Sequence, residues 1–229
     1  MKIGGLQKLS LIEYDGILSC IVFTIGCNFR CPYCHNPELV LPKKFPAEIP
    51  LEDFFQFLKQ RQKYLKGVCI TGGEPTIQTD LPVFIKGIKE LGFSVKLDTN
   101  GSNPEMLEGL IKKGNIDYIA LDVKGPLGKY NEIVKVEVDT EKILKSIYIV
   151  KNSAIPYEFR TTVVKSQLSF DDFKKIGKTI SGCKNYYLQK FIPSKCVDPS
   201  FINETTYSDD EFEKIKEIML NYVENCYIR

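Results

Sequence analysis

Leu18-Ser19-Cys20-Ile21-Val22-Phe23-Thr24-Ile25-Gly26-Cys27-Asn28-Phe29-Arg30-Cys31-Pro32-Tyr33-Cys34-His35-Asn36 is the stretch on which the reading of the whole chain turns. Residues 18–25 form a nearly continuous apolar run, the pattern of a strand buried on both faces of a parallel sheet. Gly26 ends the run, and the next eight residues carry three thiols in the spacing C-x3-C-x2-C. That spacing lets Cys27, Cys31 and Cys34 point from one loop into one pocket. Three sulfur ligands are one short of the four that close a zinc site or saturate a four-iron cluster, so a metal group held here keeps one position open.

Other uses of these cysteines fit less well. A disulfide cluster conflicts with the odd number of thiols and with an intracellular chain. A zinc site built from the three Cys and His35 needs two adjacent side chains, Cys34 and His35, to converge on one ion, and no second ligand pair follows. Cys20 and Cys69 lie in apolar runs and read as buried thiols. An iron–sulfur cluster with one open iron suits the loop best, with the zinc module as the alternative from another class. The scattered Cys183, Cys196 and Cys226 form no second quartet, so one cluster is expected.

Composition narrows the field. The chain has 229 residues, 43% apolar and 26% charged, as in an ordinary soluble globular protein, and one domain over 1–229 is expected. A formal net charge of +2 gives no field that would recruit nucleic acid or an acidic membrane. Residues 1–18 lack a signal-peptide core and no apolar run approaches a membrane span, so a cytoplasmic location is expected. The sole histidine, His35, lies inside the cysteine loop, which leaves little for a histidine-based hydrolase.

Outward from the loop, apolar runs alternate with helical patterns. Asp15-Gly16, between apolar segments, predicts an N-terminal hairpin. Strands are predicted at 18–25, 68–71, 94–98, 118–122, 157–164 and 185–191. Helices are predicted near 51–64, 81–91, 104–113, 139–152, 169–181 and from Ser208 onward, with loops over 36–50 and 196–206. Six such strand–helix units imply parallel pairing with right-handed crossovers. The expectation is an open partial TIM barrel of about six βα units with an N-terminal hairpin. Periodicity alone would also allow a doubly wound sheet. The chemically distinctive residues all fall where strands end: the cysteine loop, Gly72-Gly73-Glu74, Asp98-Thr99-Asn100-Gly101 and Asp122-Val123-Lys124.

The loop with Tyr33 before its last Cys resembles the signature of the radical S-adenosylmethionine (SAM) enzymes. The continuation Tyr33-Cys34-His35-Asn36 is similar to that of the glycyl-radical-enzyme activases. The resemblance implies that Cys27, Cys31 and Cys34 hold one 4Fe–4S cluster, and that reductive cleavage of SAM there generates a glycyl radical on a partner enzyme. Tyr33, His35, Gly72, Gly73, Glu74, Asp98, Asp122, Lys124 and Arg160 are implied as cofactor contacts. Glu74 would accept from the SAM ammonium, Lys124 would pair with its carboxylate, and Val163 would lie against the adenine. Asp98, Thr99 and Asp122 are implied as a possible monovalent cation site. A flavodoxin or ferredoxin is implied as electron donor. The branch's late His is absent from Leu188-Gln189-Lys190-Phe191, with Gln189 as a substitute contact. This departure points to anaerobic ribonucleoside-triphosphate reductase as partner, ahead of pyruvate formate-lyase. The alternative within the same chemistry is a small-molecule or modified-nucleoside substrate.

Overall fold

The computed structural model describes residues 1–229. Eight strands form one sheet in chain order: β1 (Ile3–Ser10), β2 (Ser19–Thr24), β3 (Gly67–Gly72), β4 (Ser94–Thr99), β5 (Tyr118–Asp122), β6 (Tyr157–Val163), β7 (Asn185–Lys190) and β8 (Asn225–Ile228). β1 is antiparallel to β2, and every later pairing is parallel. Strictly sequential order is that of a barrel wall; a doubly wound sheet would reverse at a switch point. β1 and β8 remain the two edges, so the barrel is open.

The helices are α1 (Pro37–Val40), α2 (Leu51–Arg61), α3 (Leu81–Glu90), α4 (Pro104–Lys112), α5 (Tyr130–Val134), α6 (Thr140–Lys151), α7 (Phe170–Thr179) and α8 (Asp209–Met219). Six parallel strands are thus each followed by helix, as expected. The apolar stripe of α3, Leu81, Phe84, Ile85 and Ile88, is buried at helical spacing. Capping boxes start α7 (Ser169 with Asp172) and α8 (Ser208 with Glu211). No helix is long and apolar enough to cross a membrane.

Four details differ from the sequence reading. The hairpin forms, but Ser10 pairs with Ser19, so its connection is longer than an Asp-Gly turn. Ser10 Oγ accepts from the Glu13 amide at 3.2 Å and turns the chain out of the strand early, leaving Leu11 and Ile12 exposed. Residues 36–50 are not all loop: α1 and a 3-10 turn, Pro42–Lys44, lie there. The stretch before α6 contains the short helix α5, and a final strand, β8, follows α8. Both are too short to show a periodicity.

The barrel interior is polar. Lys96 and Asp98 on β4, Asp122 on β5, and Glu158 and Arg160 on β6 form a connected ionic group. Lys96, 3% exposed, donates from Nζ to the Glu13 carbonyl in the hairpin connection at 2.6 Å. Side chains on β6 alternate, so Phe159 and Val163 belong to the apolar layer while Arg160 faces inward.

Candidate active site at the strand ends

The C-terminal ends of the strands surround a cavity of about 330 Å³, the size of a small-molecule site. Its lining includes Cys27, Cys31, Tyr33, Cys34 and His35 from the loop after β2. Gly72, Gly73 and Glu74 follow β3, Asp98 and Thr99 end β4, and Asp122 and Lys124 follow from β5. Residues scattered over nearly one hundred positions are brought together because each ends a parallel strand.

The paired glycines serve the cysteine loop first. Gly72 has φ +108°, and a Cβ on Gly73 would lie 1.9 Å from the Gly26 carbonyl oxygen. The Gly73 amide donates to Thr24 O at 2.9 Å and the Glu74 amide to Gly26 O at 2.8 Å. The backbone that the glycines admit so closely is therefore the residue just before Cys27. The Glu74 side chain, 1% exposed, ties two strand ends together. Its Oε1 accepts from Thr76 N (3.0 Å), Thr76 Oγ1 (2.5 Å) and Thr99 Oγ1 (2.7 Å), and its Oε2 from Asn100 N (2.6 Å). Burial raises its pKa against these hydrogen bonds. Only Oε2 retains capacity for a further donor from the cavity.

Asp122, Lys124 and Arg160 form a second unit. Arg160 Nε donates to Asp122 Oδ1 at 2.8 Å, its Nη1 to Asp98 Oδ2 at 3.3 Å, and Lys124 Nζ to Asp122 Oδ2 at 3.0 Å. Burial pushes the Asp122 carboxyl up, but the two cations prevail and hold it down at about 2. Burial alone would depress Lys124, yet Asp122, Tyr33 and Cys31 keep its pKa well above the ordinary lysine value. Arg160 lies behind the cavity wall: its guanidinium is committed to the carboxylates, and Thr162, next inward on β6, lines the space instead. Val163 faces the opposite side of the strand, as the period of two requires, and does not line the cavity. Arg160 shares the inward face of Thr162 but is taken up by Asp98 and Asp122, so neither Arg160 nor Val163 makes the contact expected of it.

The three loop cysteines are free thiols that line the cavity. Burial, with the Glu74 charge adding to it, pushes Cys27 up to about 12. Burial pushes Cys31 up to about 11 despite the nearby Lys124 cation, and it raises Cys34 too. Such thiols ligate as thiolates only with a metal's charge beside them. Tyr33, also among the lining residues, is 6% exposed, and its buried phenol oxygen has no hydrogen-bond partner in the chain. Three thiols, an unpartnered phenol and a lysine cation fit a thiolate-held iron–sulfur group with one open position. His35 is exposed at the cavity's edge, where its ring stacks on Phe191 with centroids 5.6 Å apart.

A monovalent cation fits less well. Asp98 Oδ1 faces Lys96 at 3.3 Å, and the other three oxygens of Asp98 and Asp122 face Arg160 or Lys124. Thr99 Oγ1 donates to Glu74. With every carboxylate oxygen beside a chain cation, the residues do not fit an added ion while Lys124 stays on Asp122.

Gln189 lines the cavity as expected, together with Lys190, Asn36, Thr71 and Asn100, which sequence reasoning did not assign. Asn100 was legible: it follows Thr99 at a strand end, inside the quoted Asp-Thr-Asn-Gly stretch. Its Nδ2 donates to Asn28 Oδ1 at 2.9 Å, and Asn28 Nδ2 to Ser102 Oγ at 2.8 Å, joining the cysteine loop to the turn after β4.

The chain is similar to known proteins along most of its length. The Radical SAM superfamily matches residues 21–180. A Methanocaldococcus jannaschii protein, provisionally named as a glycyl-radical enzyme activating enzyme, is 38% identical over 232 residues, covering 99% of this chain and 95% of its own length. The pyruvate formate-lyase-activating enzyme of Streptococcus mutans is 28% identical over 207 residues, covering 84% of this chain and 78% of its own. Among solved structures, Streptococcus suis SuiB bound to precursor peptide SuiA superposes with a TM-score of 0.67 at 16% identity, covering 93% of this chain and 50% of that one, a likeness of fold. The chain belongs to the radical SAM superfamily, in its glycyl-radical-enzyme-activating family.

Proposed function

We propose that this chain, acting as one domain in the cytoplasm, binds a single 4Fe–4S cluster through Cys27, Cys31 and Cys34. It binds SAM in the adjoining cavity and installs a glycyl radical on anaerobic ribonucleoside-triphosphate reductase, with flavodoxin or ferredoxin as electron donor. The observation that carries the reading is that three free thiols line the same cavity as Lys124 and the Gly72-Gly73-Glu74 turn. When bound, the cluster supplies the electron that splits the sulfonium of SAM and so provides the hydrogen-abstracting oxidant.

The chain's own residues bind, orient and exclude water. Lys124 pairs with the SAM carboxylate in this reading, which its position among the cavity-lining residues and its bond to Asp122 support. Asp122 stays ionised because Arg160 supports it from behind, so it keeps an acceptor beside Lys124 as the lysine moves to substrate. Glu74 Oε2 offers the remaining acceptor to the SAM ammonium. A monovalent cation gains oxygen ligands only if that movement frees Asp122 Oδ2.

The ribonucleotide reductase assignment rests on the sequence Leu188-Gln189-Lys190-Phe191, with Gln189 on the cavity wall where the branch's His is missing. Anaerobic mixing of the reconstituted, reduced protein with SAM and the reductase should yield a glycyl radical doublet by electron paramagnetic resonance. SAM cleavage without a radical on the reductase, but with one on pyruvate formate-lyase, would move the assignment to that partner. Transfer of hydrogen to a small molecule with no protein radical would remove the activase reading for this chain.

A further inference from the structure

The Cys34 end of the cysteine loop is held by a segment that no motif marks. After β7 the chain returns across the loop, and three consecutive residues donate to three consecutive carbonyls. Cys196 Sγ donates to Tyr33 O at 3.6 Å, the Val197 amide to Cys34 O at 2.9 Å, and the Asp198 amide to Pro32 O at 3.0 Å. Cys196 is buried among apolar neighbours. Outside this ladder, Lys195 Nζ lies 3.2 Å from Glu38, and Phe191 stacks on His35, so the returning segment touches the loop from both sides of Cys34. Asp198 also accepts from the Ser200 amide at 2.9 Å and Ser200 Oγ at 2.7 Å, which fixes the strap at its own far end.

We propose that Cys196-Val197-Asp198 is a positioning strap for the cluster-binding loop, with Cys196 its positioning residue. It fixes the path of Pro32-Tyr33-Cys34, and through it the direction of the third thiolate. A loop carrying three ligands must hold all three sulfurs at once. The short turn from Cys31 to Cys34 has one internal bond of its own, Cys34 N to Cys31 O at 3.1 Å. The strap supplies the rest. The thiol of Cys196 is a donor to a carbonyl here, not a fourth ligand. The inference rests on the reading of Cys27, Cys31 and Cys34 as cluster ligands.

Cys196→Ser keeps a donor to Tyr33 O; Cys196→Val keeps the bulk and removes the donor. In reconstituted protein, iron loss to a chelator should be about five-fold faster in Cys196→Val than in wild type, with Cys196→Ser close to wild type. The melting temperature of the metal-free chain should be the same in all three. Equal iron-loss rates, or a serine variant as leaky as the valine variant, would overturn the strap. So would a parallel fall in the metal-free melting temperature of Cys196→Val, since that marks a general core defect. Amide exchange in the metal-free chain reads the strap without the cluster. Val197 and Asp198 amides should exchange slowly in wild type and faster in Cys196→Val, and unprotected amides in wild type would sink the proposal. A wild-type chain that takes up no four-iron cluster yet protects these amides would instead break the ligand reading.

Discussion

The two ends of the cysteine loop are held by different means. At the Cys27 end, the Gly73 and Glu74 amides grip Thr24 and Gly26, and the Asn100–Asn28–Ser102 side chains tie the loop to the turn after β4. Every residue there belongs to, or adjoins, a strand-end motif that also faces the cavity. At the Cys34 end, the grip comes from the strap after β7, mostly through main-chain groups. The Cys27 end therefore couples cluster geometry to the substrate pocket, while the Cys34 end couples it to the far half of the barrel. Changes at the first end should disturb both cofactor sites; changes at the second should disturb the loop alone.

The largest effect expected at the Cys27 end is that of Gly73→Ala. The added Cβ would meet the Gly26 carbonyl at 1.9 Å, and backbone on both sides cannot move aside as a side chain can. A cost of about 3 kcal/mol is expected from such overpacking. Reconstituted Gly73→Ala should bind less than half the wild-type iron, and thermal unfolding should show the stability loss. A variant with full iron content and unchanged melting would mean that the two strands can slide, and that the Cys27 end is not rigidly held.

Lys124→Ala tests whether the cavity can be weakened without touching either end of the loop. It removes a cation from the wall while leaving the backbone bonds of the loop in place. SAM affinity should fall roughly thirty-fold, the worth of one charge-assisted contact of about 2 kcal/mol, with iron content unchanged. Titration of SAM against the cluster's spectroscopic signal measures it. Unchanged affinity would return Lys124 to a purely structural partner of Asp122.

Much of this arrangement was legible because the residues on the cavity are also the residues that end strands. Apolar runs gave six parallel strands, and the polar residue after each gave most of the wall. What escaped has a physical cause in each case. β8 is four residues long and α5 five, below the length at which a period shows. Two of the strap's three donors are main-chain amides, which any residue except proline supplies, and the third is a lone thiol, so residues 196–206 read as featureless loop. Arg160 was visible as a charge inside an apolar strand, but only the fold shows that it supports Asp122 from behind rather than lining the cavity. Lys96, Arg160 and Lys124 together face all four carboxylate oxygens of Asp98 and Asp122, which is why these strand ends do not fit an added ion while Lys124 stays on Asp122.

That buried pairing has a consequence in acid. Asp122 gives up its proton more readily when folded, at about 2, than its ordinary value of 3.8. The unfolded chain therefore binds the proton first as pH falls. The stabilisation from Asp122 is complete above about pH 4 and is lost as pH drops from 4 toward 2, by about 2 kcal/mol. Chemical denaturation of the metal-free chain across this window should show that slope, and Asp122→Asn should reduce it. A variant with the wild-type slope would place the acid sensitivity elsewhere in the ionic interior.

Asn28→Ala is the gentlest probe of the contrast between the two ends. It removes the acceptor for Asn100 Nδ2 and the donor to Ser102 Oγ, both at an exposed or half-buried position, and leaves the amide grip on Gly26 intact. A cost of about 1 kcal/mol is expected, because solvent can replace both bonds. If the Cys27 end couples the loop to the pocket, the loss should appear in two readouts together: iron release to a chelator a few-fold faster, and SAM affinity a few-fold weaker. The strap variant Cys196→Val, by contrast, should speed iron release and leave SAM affinity alone. Should Asn28→Ala change iron release only, the two ends would be equivalent clamps, and the coupling of cluster to pocket would have to run through Glu74 and the Gly26 backbone.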